Sequence, residues 1–289
     1  IILGASKSTF RKIYDKFLFK SGLIHYRSKF RISNKFMGWT MDLKPEIIYS
    51  QLSSLDEIRI VTRLNKALEL PVVIHIMDDW PSTISDRYFP RWIWKHVIDR
   101  ELKKLLRSAK VLLSISEPMS EEYRLRYGLS FTPFHNPIDL RSWTPYRKTE
   151  YAVNNQNVSV LYSGRIGIGI SESLLDVAGA IESINQKGGI YVSLFIQTST
   201  LDNDIINSLK GYSCVKVNPV VEYEQIPRIF SEADILLLAN DFDVNAVRFL
   251  RLSMPTKASE YMISGTPILV YSAEDTAVTR FFNKNNCGL

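Results

Sequence analysis

Cysteine is nearly absent from this chain. Its two thiols, Cys214 and Cys287, provide no disulfide framework and no zinc-type spacing. Histidine is also sparse, and His25, His75, His96 and His135 are scattered too widely to suggest a zinc site. No run approaches the roughly 18 uninterrupted apolar residues that a membrane span requires. The opening IILGAS is apolar, but it leads into a basic stretch rather than a small-residue cleavage site, which argues against a secretory signal. It reads as a strand entering a loop, and without an initiator Met it implies further sequence upstream. These absences together point to a reducing cytoplasm.

With 289 residues, 45% of them hydrophobic, the chain suits about two domains. Charge divides unevenly along it. Residues 1–150 hold 26 Lys+Arg against 16 Asp+Glu, whereas the remainder holds 10 against 14. A basic first half beside an acidic second half suggests two domains with different partners.

Strands and helices alternate. EIIYSQ, PVVIHIM and KVLLSIS read as strands, separated by the amphipathic LDEIRIVTRLNKALEL and the basic helical region around RWIWKHVIDRELKKLLRS. SEEYRLRYG reads as a helix and FTPFHNPID as a strand and turn. The polar, aperiodic KTEYAVNNQN (148–157) marks the expected boundary, giving domains 1–149 and 150–289. The second half repeats the pattern with strands NVSVLYSG, IYVSLFIQ, VKVNPVV, DILLLAN and PILVY. Apolar strands between amphipathic helices predict an α/β protein with parallel sheets, arranged as two Rossmann-like domains facing a cleft. Ligands of such sheets sit beyond the carboxyl ends of the strands.

Several polar residues fall at those ends. Gly164-Arg165-Ile166-Gly167-Ile168-Gly169 joins a strand to a helix, where glycines permit close approach and a helix start favours an anion. It is not a dinucleotide fingerprint, because Glu172 stands where the third glycine belongs, and spacing alone favours a plain strand-to-helix turn, a balance that Arg165 tilts. Arg165 suits bidentate contact with phosphate. Asp78 and Asp79 follow the strand containing His75, placed for proton transfer or sugar hydroxyls, or for capping the next turn. Asp241 and Asp243 form a DxD that suits either a divalent metal or a solvated loop. PTKASEYMISGTPILV (255–270) reads as a short helix with Pro255 in its first turn and Gly265 beyond its end. Within it Glu260 lies one turn after Lys257, a spacing that fits a surface ion pair.

That last segment resembles the Pro-x-Lys-x-x-Glu-Tyr-Met-x-x-Gly-x-Pro motif of retaining nucleotide-sugar glycosyltransferases with the GT-B fold, of the family 4 type. The ordered pieces LLSISEPMSEEYRLRYG, HNPID, VLYSGRIG and IFSEADILLLA extend the resemblance over most of the chain from about Pro71. DDWPST is similar to a turn of bacterial surface-polysaccharide members. The resemblance implies that Glu260 accepts hydrogen bonds from the donor ribose and that Arg165, beside Gly164, binds the diphosphate. Lys257, Thr256 and the helix amides would assist, and the Pro219–Val221 turn would hold the base through its backbone. His75, Asp78 or Asp79 would contact the transferred sugar or the acceptor. The donor is then a UDP- or GDP-sugar, a substrate rather than a cofactor, and no metal is required.

The chain departs from that pattern at two positions. Leu252 stands where many members carry a second Glu, and Ile170 where they carry a Lys, leaving Arg248, Arg251 or Lys257 as substitutes. The family's Gly-rich opening strand and final helices are not visible, which implies missing segments at both ends. The reading is a metal-independent transferase acting on a glycan or lipid-linked acceptor. A metal-dependent transferase using Asp241 and Asp243, or a non-catalytic nucleotide- or membrane-binding module, are the alternatives. TFRKIYDKFLFKSGLIHYRSKFR (9–31) and residues 87–110 interleave Lys and Arg with aromatics. That mixture suits an anionic membrane at the cytoplasmic face better than nucleic acid, whose motifs are absent; ordinary solvated helix faces would also explain it.

Overall fold

The structure is a computed structural model that describes residues 9–23, 32–84, 86, 88–151, 156–200 and 204–288. The expected strand at IILGAS and part of the first basic stretch, 24–31, lie outside the described residues. The chain divides into two compact units, Ile1–Phe134 and His135–Leu289.

The first unit begins with helices α1 (Thr9–Lys20) and α2 (Asn34–Asp42). Its parallel sheet has the order β1 (Ile48–Gln51), β2 (Val72–Ile76), β3 (Val111–Ser114) and β4 (Thr132–Pro133). Tyr49 pairs with Val73, and His75 with Leu113. β2 is VVIHI, with Val72, Ile74 and Ile76 buried, as a central parallel strand requires. Helix α3 (Leu55–Leu68) follows β1 because Ser54 caps it, accepting from the Glu57 amide, and Leu55, Ile58 and Val61 fall on one buried face. α4 (Trp80–Ile84) and α5 (Arg91–Ser108) follow β2. α5 buries Trp94, Ile98, Leu102 and Leu105 at helical spacing. α6 (Glu117–Tyr127) is capped by Ser116 and ends at Gly128, whose φ of +70° terminates it in a left-handed cap.

The second unit starts with α7 (Leu140–Trp143) and holds a five-stranded parallel sheet. Its order is β7 (Val215–Asn218), β6 (Tyr191–Gln197), β5 (Asn157–Ser163), β8 (Ile235–Ala239) and β9 (Ile268–Tyr271). The chain leaves β5 first toward β6 and later returns to β8 on its other side. That reversal makes the carboxyl end of β5 a topological switch point. The connecting helices are α8 (Ser171–Lys187), α9 (Asp204–Lys210), α10 (Ile226–Glu232), α11 (Val244–Leu250) and α12 (Lys257–Ser264), with α13 (Ala277–Asn285) after β9. α8 buries Leu174, Val177, Ala178 and Ile181 against the sheet. Among the described residues no helix is long and apolar enough to cross a membrane.

The expected divide at 149/150 falls instead at Phe134/His135. The reason is apolar. Trp143 is 1% exposed and packs on Phe230, ring centroids 5.7 Å apart. Beyond it the Lys148 amide donates to the Ser264 carbonyl at 2.8 Å, and Lys148 Nζ to the Ala233 carbonyl at 2.6 Å. Polarity marks where the chain is solvated, but Trp143 decides which body the segment joins. Trp143→Ala should cost about 3–5 kcal/mol in urea unfolding of the second unit. Trp143→Phe should cost much less, because the buried indole N–H makes no hydrogen bond. Equal losses for the two variants would contradict the packing account.

Candidate functional site

β5 ends at Ser163, and the chain turns at Gly164 with φ +148°. The positive φ favours glycine, and the space is tight as well, since a Cβ there would lie 3.1 Å from Lys257 Nζ and 3.4 Å from the Tyr162 hydroxyl. Tyr162 is fully buried and donates its hydroxyl to the Arg165 carbonyl at 2.7 Å, fixing the turn from within. Burial raises this phenol well above its ordinary pKa, so it remains a neutral donor.

Helix α12 is joined to that turn through two side chains. Lys257 places its amine 3.8 Å from the Tyr162 ring centroid and donates to the Ser163 carbonyl at 3.2 Å. Burial pushes the amine down to about 7, against the opposing charge of Glu260. Tyr261, fully buried, accepts from the Ser163 amide at 3.0 Å and meets Phe230 edge-on at 5.0 Å. Glu260 lies between these two anchors along the helix. Burial raises its carboxyl pKa, while a hydrogen bond with Tyr223 and the Lys257 charge pull it down.

Arg165, Lys257, Glu260 and Tyr223 line a single cavity of about 430 Å³, with Gly164 and Thr256 also in its wall. That volume is in the range of small-ligand sites, about 300–1,000 Å³. Thr256, the residue before α12, makes no side-chain cap, although the Ala258 amide of the first turn donates to the Pro255 carbonyl at 3.0 Å; the positive end of the helix dipole faces the cavity wall it helps to form. The helix starts after Thr256, which places Pro255 ahead of the helix rather than in its first turn.

The other helix start near the strand ends is closed. Asp241, 5% exposed, accepts from the Ser173 amide at 2.8 Å in the first turn of α8, and Ser173 Oγ donates to the Asn240 carbonyl at 2.7 Å. A carboxylate thus already occupies the position where the glycine-rich turn suggested an anion. Asp243 caps α11, accepting from the Asn245 and Ala246 amides at 2.9 and 3.2 Å. Both acids of the DxD serve helix amides. Among the described residues no three His, Cys, Asp or Glu side chains cluster as metal ligands.

Five of the expected donor residues therefore share one cavity: Gly164, Arg165, Thr256, Lys257 and Glu260. Val221 sits in the loop after β7 and is not in that wall, and neither are Arg248 and Arg251. Leu252 is a core residue, 2% exposed. Sequence reasoning missed Tyr162, Tyr223 and Tyr261. Tyr162 and Tyr261 were legible as neighbours of Gly164 and Glu260, whereas nothing local distinguishes Tyr223.

His75, Asp78 and Asp79 belong to the first unit. His75 is buried, with Nε2 3.1 Å from the Phe134 carbonyl, which can only accept; Nδ1 therefore accepts from the Tyr49 hydroxyl at 2.7 Å. Burial lowers its pKa, against the Phe134 hydrogen bond, and favours the neutral ring. Asp79 is 3% exposed and bound bidentately by Arg126 at 2.7 and 3.1 Å, with the Tyr123 hydroxyl donating at 3.0 Å. Arg126 also reaches Glu122 at 2.9 Å and stacks 5.1 Å from the Tyr123 ring. Asp78 is the exposed carboxylate of the pair.

No protein-family model and no curated protein sequence matches the chain. Solved structures do. Sucrose-phosphate synthase from Thermosynechococcus elongatus aligns with TM-score 0.56 at 12% identity, over 81% of this chain and 58% of that one. The N-terminal domain of Candida albicans trehalose-6-phosphate phosphatase gives 0.58 at 12%, over 98% and 65%. Trehalose 6-phosphate synthase from Burkholderia multivorans gives 0.54 at 12%, over 90% and 67%. The fold is of the two-Rossmann GT-B class. The chain spans less than two thirds of the first two structures it matches.

Asp79→Ala should destabilise the first unit by about 3–5 kcal/mol, because it leaves Arg126 and Tyr123 without their shared acceptor. Thermal and urea unfolding measure this. A loss below about 1 kcal/mol, in the range of surface pairs, would show the cluster to be dispensable for folding.

Proposed function

We propose that the cavity at the end of β5 binds the nucleoside diphosphate of a UDP- or GDP-sugar and that the chain transfers the sugar, with retention, to an acceptor hydroxyl. The observation that carries this reading is the arrangement in one cavity of Arg165, Lys257 and an uncapped helix start together with a single carboxylate, Glu260. The two oxygens of that carboxylate suit the vicinal hydroxyls of a ribose. Arg165 and the Lys257 ammonium suit the diphosphate, whose charge grows as the sugar departs. Fixed positive donors at that point stabilise same-face attack without a protein nucleophile. The Pro219–Val221 backbone is assigned to the base. In the first unit, exposed Asp78 is the better candidate for contact with sugar or acceptor, His75 is held neutral beneath Tyr49, and Asp79 is bound to Arg126.

Engagement of Asp241 and Asp243 as helix caps favours a metal-independent course over a DxD enzyme. The acceptor assigned is a glycan or lipid-linked glycan hydroxyl, as in bacterial surface-polysaccharide assembly in the cytoplasm. Release of UDP or GDP from labelled nucleotide sugars, with and without EDTA, tests the reaction. Turnover should survive EDTA; nucleotide binding without turnover would leave a binding module. By calorimetry, Glu260→Ala should weaken nucleotide affinity roughly a hundred-fold, the loss of two bonds to a charged group. Unchanged affinity would return Glu260 to an ion pair on a helix face.

The Lys257 amine adds a dependence on pH. In the empty site its pKa is about 7, and a diphosphate favours the protonated form and raises it. Above that pKa, binding must take up a proton, so affinity should fall with rising pH, by up to about ten-fold per unit. Below it the amine is already charged and its contribution levels off. Lys257→Met should flatten the profile between pH 7 and pH 9, as read by calorimetry; an unchanged slope would remove Lys257 from phosphate binding.

A further inference from the structure

Four aromatic side chains are exposed on two segments of the first unit that meet each other. Phe17 and Phe19 on α1 are 61% and 46% exposed, Phe89 is 78% exposed, and Trp92 at the start of α5 is 73% exposed. The two segments are fastened together. The Phe89 amide donates to the Lys20 carbonyl at 2.7 Å, and Trp94 Nε1 donates to the Ser21 carbonyl at 2.9 Å. Gly22, with φ +70°, closes the seam, since any Cβ there would run into the Trp94 ring. Phe19 also stacks on Tyr88 at 5.9 Å.

The core does not need these outward rings. Leu18, Tyr88 and Trp94, from the same two segments, are already buried and face inward. Each segment buries one set and leaves the other uncovered, and uncovered rings on joined segments are of the kind that marks an interaction surface.

The same segments also carry basic side chains. Lys16, Lys20 and Lys95 are exposed and make no ion pair among the described residues, while Arg91 is neutralised by Asp86 at 2.5 Å. From Trp92 the face of α5 continues through His96, Arg100 and Lys104 at intervals of one helical turn, all exposed, and on to Arg107. Arg100 is paired with Glu101 at 3.1 Å, but the stripe keeps its positive excess. An acidic protein would satisfy the lysines and leave no reason for four uncovered rings. An anionic bilayer satisfies both, with rings at headgroup depth and ammonium groups among lipid phosphates.

We infer that this surface seats the first unit on an anionic membrane, with Phe89 and Trp92 entering the headgroup layer and Lys16, Lys20 and Lys95 holding the lipid phosphates. Its residues are separate from the donor cavity, so the two readings stand or fall independently.

Co-sedimentation of the full chain with phosphatidylglycerol vesicles tests it, with phosphatidylcholine vesicles as the neutral control. Binding should require the anionic lipid and fade as salt rises. The double variant Phe89→Ser/Trp92→Ser should lose roughly ten-fold or more in partition. Lys16→Ala/Lys20→Ala/Lys95→Ala should lose roughly a hundred-fold, about five-fold per charge. Both variants should keep wild-type Tm and nucleotide affinity, because none of the five residues is buried or lines the donor cavity. Absence of binding to phosphatidylglycerol at low salt would overturn the inference. Partition unchanged in the aromatic variant would overturn it too, as would a self-association that the same variant abolishes without any vesicle binding.

Discussion

The second unit is organised around one contact, the Lys257 amine seated on the face of Tyr162. It leaves little room at position 164, where a Cβ would lie 3.1 Å from the amine and oblige it to shift. It ties the start of α12 to the end of β5, and Tyr261 repeats the tie one turn later through the Ser163 amide. The start of α12 and Glu260 are positioned by those two anchors, which brace the cavity wall from both sides. Burial of the amine is what makes it responsive, since an ordinary surface lysine would be charged at every physiological pH.

Much of this fold was legible because parallel sheets write themselves plainly. Buried strands such as VVIHI and ILLLA are near-continuous apolar runs, and the spacing of apolar residues between them places the helices to within a turn. The glycine at 265 and the serines at 54 and 116 mark helix ends through well-defined capping chemistry. Where sequence and structure part, the causes are physical as well. FTPFHNPID shrinks to a two-residue strand because its proline-bearing sequence offers few ladder donors. VNAVRFL gives little helical signal of its own, because its helix rests on a cap from Asp243, a residue that also fits a metal motif. Site residues contributed by side chains from distant segments, Tyr223 above all, have no local signature.

The paired aspartates after β2 show how adjacent residues acquire unlike environments. Asp78 stays in solvent, whereas Asp79 enters a buried network with Arg126, Tyr123 and, through Arg126, Glu122. Burial of a charge demands full pairing, and this one has a bidentate partner and a phenol. Sequence adjacency makes the two look interchangeable. The strand end separates them, with one side chain turned into the unit and the other outward.

Asp241 also closes one of the helix starts of the second unit. In sheets of this type the glycine-rich first turn is the usual berth for the pyrophosphate of a dinucleotide. Here a carboxylate from the end of β8 already fills the amide cradle at the start of α8. Any phosphate entering that berth would meet a buried negative charge and have to break the bond to Ser173. The start of α8 is therefore closed by an acid of the chain itself, through electrostatic occupancy rather than steric fit.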